Sequence, residues 1–216
     1  ALSNPQTRAV AYSVLGTIRF QQTRLPESVD FFQKAIRLDP RLLGAHLSLA
    51  DVYTIQGKPE LALGLYRRIL TIDPSNAPAR LALARSETEE GNYQRSLELA
   101  QPVLPVLKQS SDGLLVLATD YVKTDNRAAA AELAKDWALL TDIPPAWSIK
   151  FALLLAREGM APEAIEILER VKRTSPPSYE LAFNLAGRYP LKHDTMPPPR
   201  PYGRPSRLNP TSVPRV

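Results

Sequence analysis

The sequence predicts an all-α protein of stacked helix-turn-helix units, and three observations carry the prediction. A landmark tripeptide recurs: Leu38-Asp39-Pro40 is answered by Ile72-Asp73-Pro74, 34 residues later. Turn glycines keep the same step, with Gly57 and Gly91 34 apart and Gly159 a further 68, two periods, beyond. Aligned on unit starts at Ala9, Leu43, Ala77, Ser111 and Pro145, three places repeat in size. The seventh is bulky (Leu15, Leu49, Leu83, Leu117, Phe151) and the eighth is small (Gly16, Ala50, Ala84, Ala118, Ala152). The twentieth is small as well (Ser28, Ala62, Ser96, Ala130, Ala164). Bulky against small, unit after unit, lets helices approach closely and buries a linear core between neighbours.

Each unit has local reasons for its helices. In unit one, Val29, Phe32, Ala35 and Ile36 fall on one helical stripe. Pro26-Glu27 puts proline in the first turn, where its missing N–H costs nothing, beside a carboxylate favoured by the positive end of the helix dipole. Pro40 stops that helix. Unit two repeats the scheme with Pro59-Glu60 and Pro74. In unit three, Pro102 and Pro105 predict an early end or kink in the second helix and a bend there. Lys108 and Asp142 stand where units three and four would close on proline. Trp137 occupies a usually small place in unit four and reads as a packing residue, with room supplied by the run Ala128 to Ala131. In unit five, Pro162-Glu163 starts the second helix, Ile165, Leu168 and Val171 form its stripe, and Pro176 ends it.

A sixth unit begins at Tyr179, with Leu185, Ala186 and Tyr189 placed for a first helix. Its second helix is forbidden by Pro197, Pro198, Pro199, Pro201 and Pro205, since each proline inside a helix costs about 3 kcal/mol. Leu208-Asn209-Pro210 nevertheless closes the unit in register, so the expectation is a segment descended from an ordinary sixth repeat, in an array that once continued, or still continues, beyond Val216. The expected organisation is a helical repeat domain over 1–190 and a Pro/Arg-rich, disordered or polyproline-like tail over 191–216. Loss of the sixth unit's second helix would expose a C-terminal repeat edge suited to self-association.

Unit two also supports a family resemblance. Its Leu49, Ala50, Tyr53, Gly57, Ala62, Tyr66 and Pro74 resemble the aliphatic, small, aromatic, turn, small, aromatic and closing-proline places of the tetratricopeptide repeat. The resemblance runs over roughly residues 9 to 190, with Arg19 and Ala100 replacing aromatics in units one and three. It implies a right-handed superhelical solenoid of five full units plus the first helix of a sixth. It also implies a concave groove lined by first helices through their second, fifth, sixth, ninth, twelfth and thirteenth places. Transferred residue by residue, the implied groove is Ser13, Thr17, Leu47, Asp51, Leu81, Arg85, Leu115, Thr119, Lys123, Ile149 and Lys150. Leu47, Leu81, Leu115 and Ile149 share the fifth place, so they should form an apolar strip. Flanked by Asp51, Arg85 and Lys123, that strip suits an amphipathic helix or an extended peptide with a few charges.

Two family subtypes are argued against. The clamp for acidic chaperone tails uses Lys and Asn where Ser13, Thr17 and Asp51 stand. The asparagine ladder of the large glycosyltransferases is reduced to Asn184, with Val14, Ser48, Ala82, Val116 and Lys150 at the matching places.

Composition excludes other classes. The net charge is +5, but Lys192, Arg200, Arg204, Arg207 and Arg215 against Asp194 put +4 of it in residues 192–216 and leave +1 for the rest. A nucleic-acid binder should carry a basic stripe on its folded body, so no nucleic-acid partner is expected. No apolar run approaches the roughly 18 residues of a membrane span, and the first residues lack a signal-peptide pattern. No membrane partner is expected either. With no Cys there is no disulfide framework, and the compartment stays open. His46 and His193 lack partners at metal-ligand spacing, and Glu163, Glu166 and Glu169 read as a solvated stripe. The expectation is no catalytic residue, no cofactor and no metal. The function implied is a non-catalytic scaffold binding a peptide or helix of a partner protein. The alternatives are a substrate-recruiting segment of a larger enzyme such as a glycosyltransferase, and a self-assembling module.

Overall fold

A computed structural model of the chain describes residues 4–140 and 143–174. These fall within one unit of the structure, Ala1–Pro176. The sixth repeat at Tyr179, its C-terminal edge, the tail and Asp142 lie outside the described residues.

The described residues form helices and no strands, arranged as a solenoid of paired helices. Unit one is α1 (Pro5–Gln21) and α2 (Leu25–Leu38), and unit two is α3 (Leu43–Ile55) and α4 (Pro59–Ile72). Unit three is α5 (Ala77–Glu89), α6 (Tyr93–Ala100) and a single turn α7 (Leu104–Leu107). Unit four is α8 (Ser111–Lys123) and α9 (Arg127–Leu139), and unit five is α10 (Pro145–Arg157) and α11 (Ala161–Thr174). Helix α1 starts four residues before the unit boundary at Ala9. Asn4 caps it by accepting from the Gln6 N–H at 2.9 Å, and Pro5 occupies the first turn.

The size pattern becomes the core. Every eighth-place and twentieth-place residue is buried. Of the bulky seventh-place residues, Leu49, Leu83, Leu117 and Phe151 are buried, whereas Leu15 is 39% exposed. The expected knob is therefore absent from unit one, because α1 begins the described array and has packed neighbours on one side only. The same helix shows Val10, Val14 and Ile18 to solvent at the spacing of one helical face.

Periodicity extends to backbone dihedrals. Positive φ occurs at Thr23, Gly57, Gly91, Asp125 and Gly159, each in the turn between the two helices of its unit. The repeat that lacks a turn glycine thus keeps the left-handed turn, with Asp125 at φ 56°. Asp is a tolerated occupant of this region, and Thr23, which is β-branched and sits at φ 58°, is strained there.

Asp39 and Asp73 build the turns between units. Asp39 Oδ1 accepts from the Arg41 N–H, and Asp73 Oδ1 accepts from the Ser75 N–H, both at 3.0 Å. Hydrogen bonds from Ser75 and Asn76 hold the Asp73 carboxyl below its usual range. In unit three the two prolines do break the second helix. It ends at Ala100, passes through a 3₁₀ turn at Gln101–Val103 and resumes for one turn.

Units four and five are joined differently from the rest. Trp137 is buried, as expected for a packing residue, and its ring stacks on Phe151 of unit five at 4.4 Å between centroids. Its Nε1–H donates to Ser148 Oγ at 3.1 Å, so the place opposite the indole is held by a small polar residue of the next unit. Arg170 on α11 reaches back to the end of α9. It donates to the carbonyls of Ala138 and Trp137, and to that of Leu140 at 2.9 Å. A cation at the negative end of a helix, bonded to the carbonyls at that end, closes unit four without a proline.

Candidate functional site

The first helices α1, α3, α5, α8 and α10 carry all the residues expected in the groove. The fifth-place strip is graded along the array: Leu47 and Leu81 are half-buried, while Leu115 and Ile149 are buried. Ser13 is half-buried and Thr17 exposed, and the Thr17 hydroxyl donates to the Ser13 carbonyl within α1.

Asp51 is accessible at the surface of α3. Surrounding protein still displaces enough water to push its carboxyl above the usual value, against a hydrogen bond from Tyr66. The Tyr66 phenol is raised in turn, first by its own burial and then by the Asp51 charge. Asp51 and Tyr66 are thus a coupled pair at the junction of α3 and α4.

The expected cations are engaged across units. Arg85 on α5 pairs with Asp112 on α8, and Lys123 on α8 pairs with Glu158, just past the end of α10, at 2.6 Å. The Lys123 amine is held above its usual value by the hydrogen bond and charge of Glu158. Successive first helices are laced to each other by these pairs, so neither cation stands alone on the surface. Exposed pairs of this kind contribute little stability, on the order of 0–1 kcal/mol, and their main effect is orientation.

Between α5, α8 and α10 lies a depression of about 430 Å³ that gathers Arg85, Leu115, Thr119 and Lys150 from the expected set. Its other contributors include Thr88, Glu89, Asp112, Val116 and Trp147. Asp112, Val116, Thr88 and Glu89 stand at the second, sixth, twelfth and thirteenth places and follow from the same positional rule. Trp147 stands at the third place and does not. It is half-buried, and the Lys150 Nζ lies over its ring at 5.7 Å from the centroid. The depression has an apolar floor and a rim of mixed charge. Ser13, Thr17, Leu47, Asp51, Leu81, Lys123 and Ile149 do not line it.

Other chemistry is sparse. His46 is buried, with Nδ1 at 3.1 Å from the Leu42 carbonyl of its own helix, and Glu169 meets Lys172. Among the described residues no three acidic, His or Cys side chains gather as a metal site, and no helix is long and apolar enough to cross a membrane.

Two family models described as tetratricopeptide repeat match the sequence, over residues 14–77 and 53–119. No curated protein matches it. Among solved structures, PilF of Pseudomonas aeruginosa is similar at a TM-score of 0.64 and 20% identity, over 83% of this chain and 82% of that one. PilW, described as a widely conserved type IV pilus biogenesis factor, gives 0.65 and 16%, over 82% and 86%. YrrB, described as a TPR protein with an unusual peptide-binding site, gives 0.63 and 14%, over 82% and 91%. At these identities the likeness is one of fold.

Proposed function

Since the chain is a tetratricopeptide repeat protein, we propose that it is a non-catalytic scaffold that seats a peptide or helix of a partner protein against the first-helix face, centred on the depression between α5, α8 and α10. Repeat proteins of this fold serve generally as protein-interaction scaffolds, and a peptide site described for the similarly folded YrrB is consistent with this reading. The observation that carries it is the juxtaposition of Trp147, Leu115 and Val116 with Arg85, Glu89, Asp112 and Lys150 in one depression. A half-buried aromatic on an apolar floor, ringed by charges of both signs, suits an apolar anchor side chain flanked by polar or charged residues.

The test selects displayed peptides on the immobilised full chain and titrates the selected sequences against intrinsic tryptophan fluorescence. Trp137 is buried, so a change on binding reports Trp147. Trp147→Ala, read with a dye on the peptide because the variant lacks the reporting indole, should weaken binding about thirtyfold, the effect of roughly 2 kcal/mol at an anchoring aromatic. Peptides that bind Trp147→Ala as tightly as the wild type would move the site away from the depression.

A further inference from the structure

Asp120 is a buried carboxylate with no role in the reading above. It lies in the middle of α8, fully buried, where α5, α6, α9 and α10 pack around that helix. Its Oδ1 accepts from the Thr88 hydroxyl at 2.7 Å and its Oδ2 from the Ser96 hydroxyl at 2.5 Å. Both donors belong to unit three, so the carboxylate is bonded across the joint between units three and four.

No cation answers this charge among the described residues. On α5, Arg80 is bonded to the Pro74 and Leu99 carbonyls, Arg85 is turned to Asp112 and Glu87 to Arg95 of α6, while Glu89 and, just past the helix, Glu90 are exposed. On α6, Tyr93 is half-buried and Glu98 exposed. On α9, Arg127 meets Asp125, Glu132 meets Lys135, and Asp136 meets Lys108. On α10, Lys150 and Arg157 are exposed, and Glu158, just past its end, meets Lys123 of α8. On α8 itself Tyr121 is half-buried. Burying a charge without a counter-charge is costly, and two neutral hydroxyls offset only part of that cost.

The hydroxyls can also serve the neutral acid. The Thr88 oxygen lies 2.9 Å from Ser96 Oγ and 3.0 Å from the Ala84 carbonyl. When Asp120 is ionised, each hydroxyl gives its single proton to the carboxylate. When Asp120 is protonated, the acid becomes a donor to one hydroxyl, and Thr88 turns its proton to the Ala84 carbonyl. Every proton has an acceptor in both states, so the joint takes up a proton without losing a hydrogen bond.

We propose that the joint between units three and four is a proton-operated latch, with Asp120 as its titrating group and Thr88 and Ser96 as its hydrogen-bonding partners. It is tight when Asp120 is neutral and weakened when Asp120 is charged. Thr88 also lines the depression between α5, α8 and α10, which ties the latch to the first-helix face.

Desolvation by burial is the dominant influence on this carboxyl. It raises the pKa from 3.8 to about 6 in the folded chain, against the opposing hydrogen bonds of Ser96 and Thr88. The folded state then holds a proton that the unfolded chain releases, so stability from this group is complete below about 3.8, falls through 4 to 6, and is lost above that.

The test measures thermal unfolding of the full chain from pH 4.5 to 8, beside Asp120→Asn, whose amide mimics the neutral acid. Wild type should lose several degrees of melting temperature relative to Asp120→Asn as pH rises, with Asp120→Asn melting higher at pH 7.5. A difference independent of pH, or one that grows in favour of wild type, overturns the proposal. Should Asp120→Asn fail to fold, carbon-13 carboxyl shifts of the aspartate-labelled wild type decide it. One aspartate titrating near 6 in both wild type and Asp51→Asn supports the latch, and aspartates all titrating below 4.5, or an elevated one lost in Asp51→Asn, overturn it. Neither readout requires a partner, so a failure here is distinct from failure of the groove reading.

Discussion

Gly113→Ala separates backbone propensity from packing by the sign of its effect. Gly113 lies in the first turn of α8, and Ala is favoured over Gly in a helix by up to about 1 kcal/mol. Propensity alone predicts a more stable protein. In the structure, a Cβ at this position would press into the backbone of Leu107 in α7, 2.9 Å from both its carbonyl carbon and its Cα and closer still to its carbonyl oxygen. Ordinary contact begins near 3.4 Å, so at least 0.5 Å of movement is needed, and the atoms that must move are main chain. Leu107 is itself buried, so the whole turn must shift against the core. Overpacking of this kind costs roughly 1–3 kcal/mol, and a clash with main chain belongs in the upper part of that range, about 2–3 kcal/mol, which leaves a net loss of about 1–2 kcal/mol after the propensity gain. At roughly 2–4 °C per kcal/mol for a chain of this size, the melting temperature should fall by about 2–8 °C. Gly64→Ala is the control, because Gly64 is exposed within α4 and a Cβ there meets nothing within 4 Å. It should gain about 1 kcal/mol. Circular dichroism melting of the three proteins at one pH reads both. If Gly113→Ala melts at or above wild type while Gly64→Ala rises as expected, α7 yields freely and the packing argument fails.

Thr23→Gly should raise stability by about 0.5–1 kcal/mol, because relief of a strained left-handed β-branched residue exceeds the extra entropy of glycine in the unfolded chain; urea titration checks it, and a loss would refute the strain. Arg170→Leu should strip the carbonyls at the end of α9 and cost roughly 2 kcal/mol, read as faster hydrogen exchange in the last turn of α9 with α3 and α4 unaffected. Ala118→Leu should overpack the crossing at the eighth place of unit four by about 1–3 kcal/mol, and unchanged melting would show that the crossing is loose.

The repeat was legible because it is written in residues whose roles are local. Proline stops a helix wherever it stands, and small residues at the eighth and twentieth places announce close crossings before any partner is known. What escaped depends on partners distant in sequence. Asp120 reads as one more polar residue on α8 until the break in α6 and the course of α5 bring Ser96 and Thr88 to it. Arg170 sits among the charges of an amphipathic helix, and nothing local distinguishes it from Arg173. The first-helix places were legible, and their environments were not. Arg85 and Lys123 are cations in the sequence and halves of ion pairs in the fold. Trp147 lay outside the positional rule, although a tryptophan three residues into a first helix, beside a Trp137 already assigned to packing, was a signal available from the start.

The grip of Arg170 on α9 has a consequence for synthesis. The carbonyl of Leu140 waits for a side chain 30 residues downstream, and that of Ala138 for one 32 residues downstream. At a ribosomal pace of roughly 5–20 residues per second, α9 is made on the order of seconds before the residue that finishes it. Units one and two carry their own closing prolines and can settle as they emerge. Unit four emerges with its last turn open, so the nascent chain passes through an interval in which its newest pair of helices is incomplete, and a pause within that stretch would prolong it.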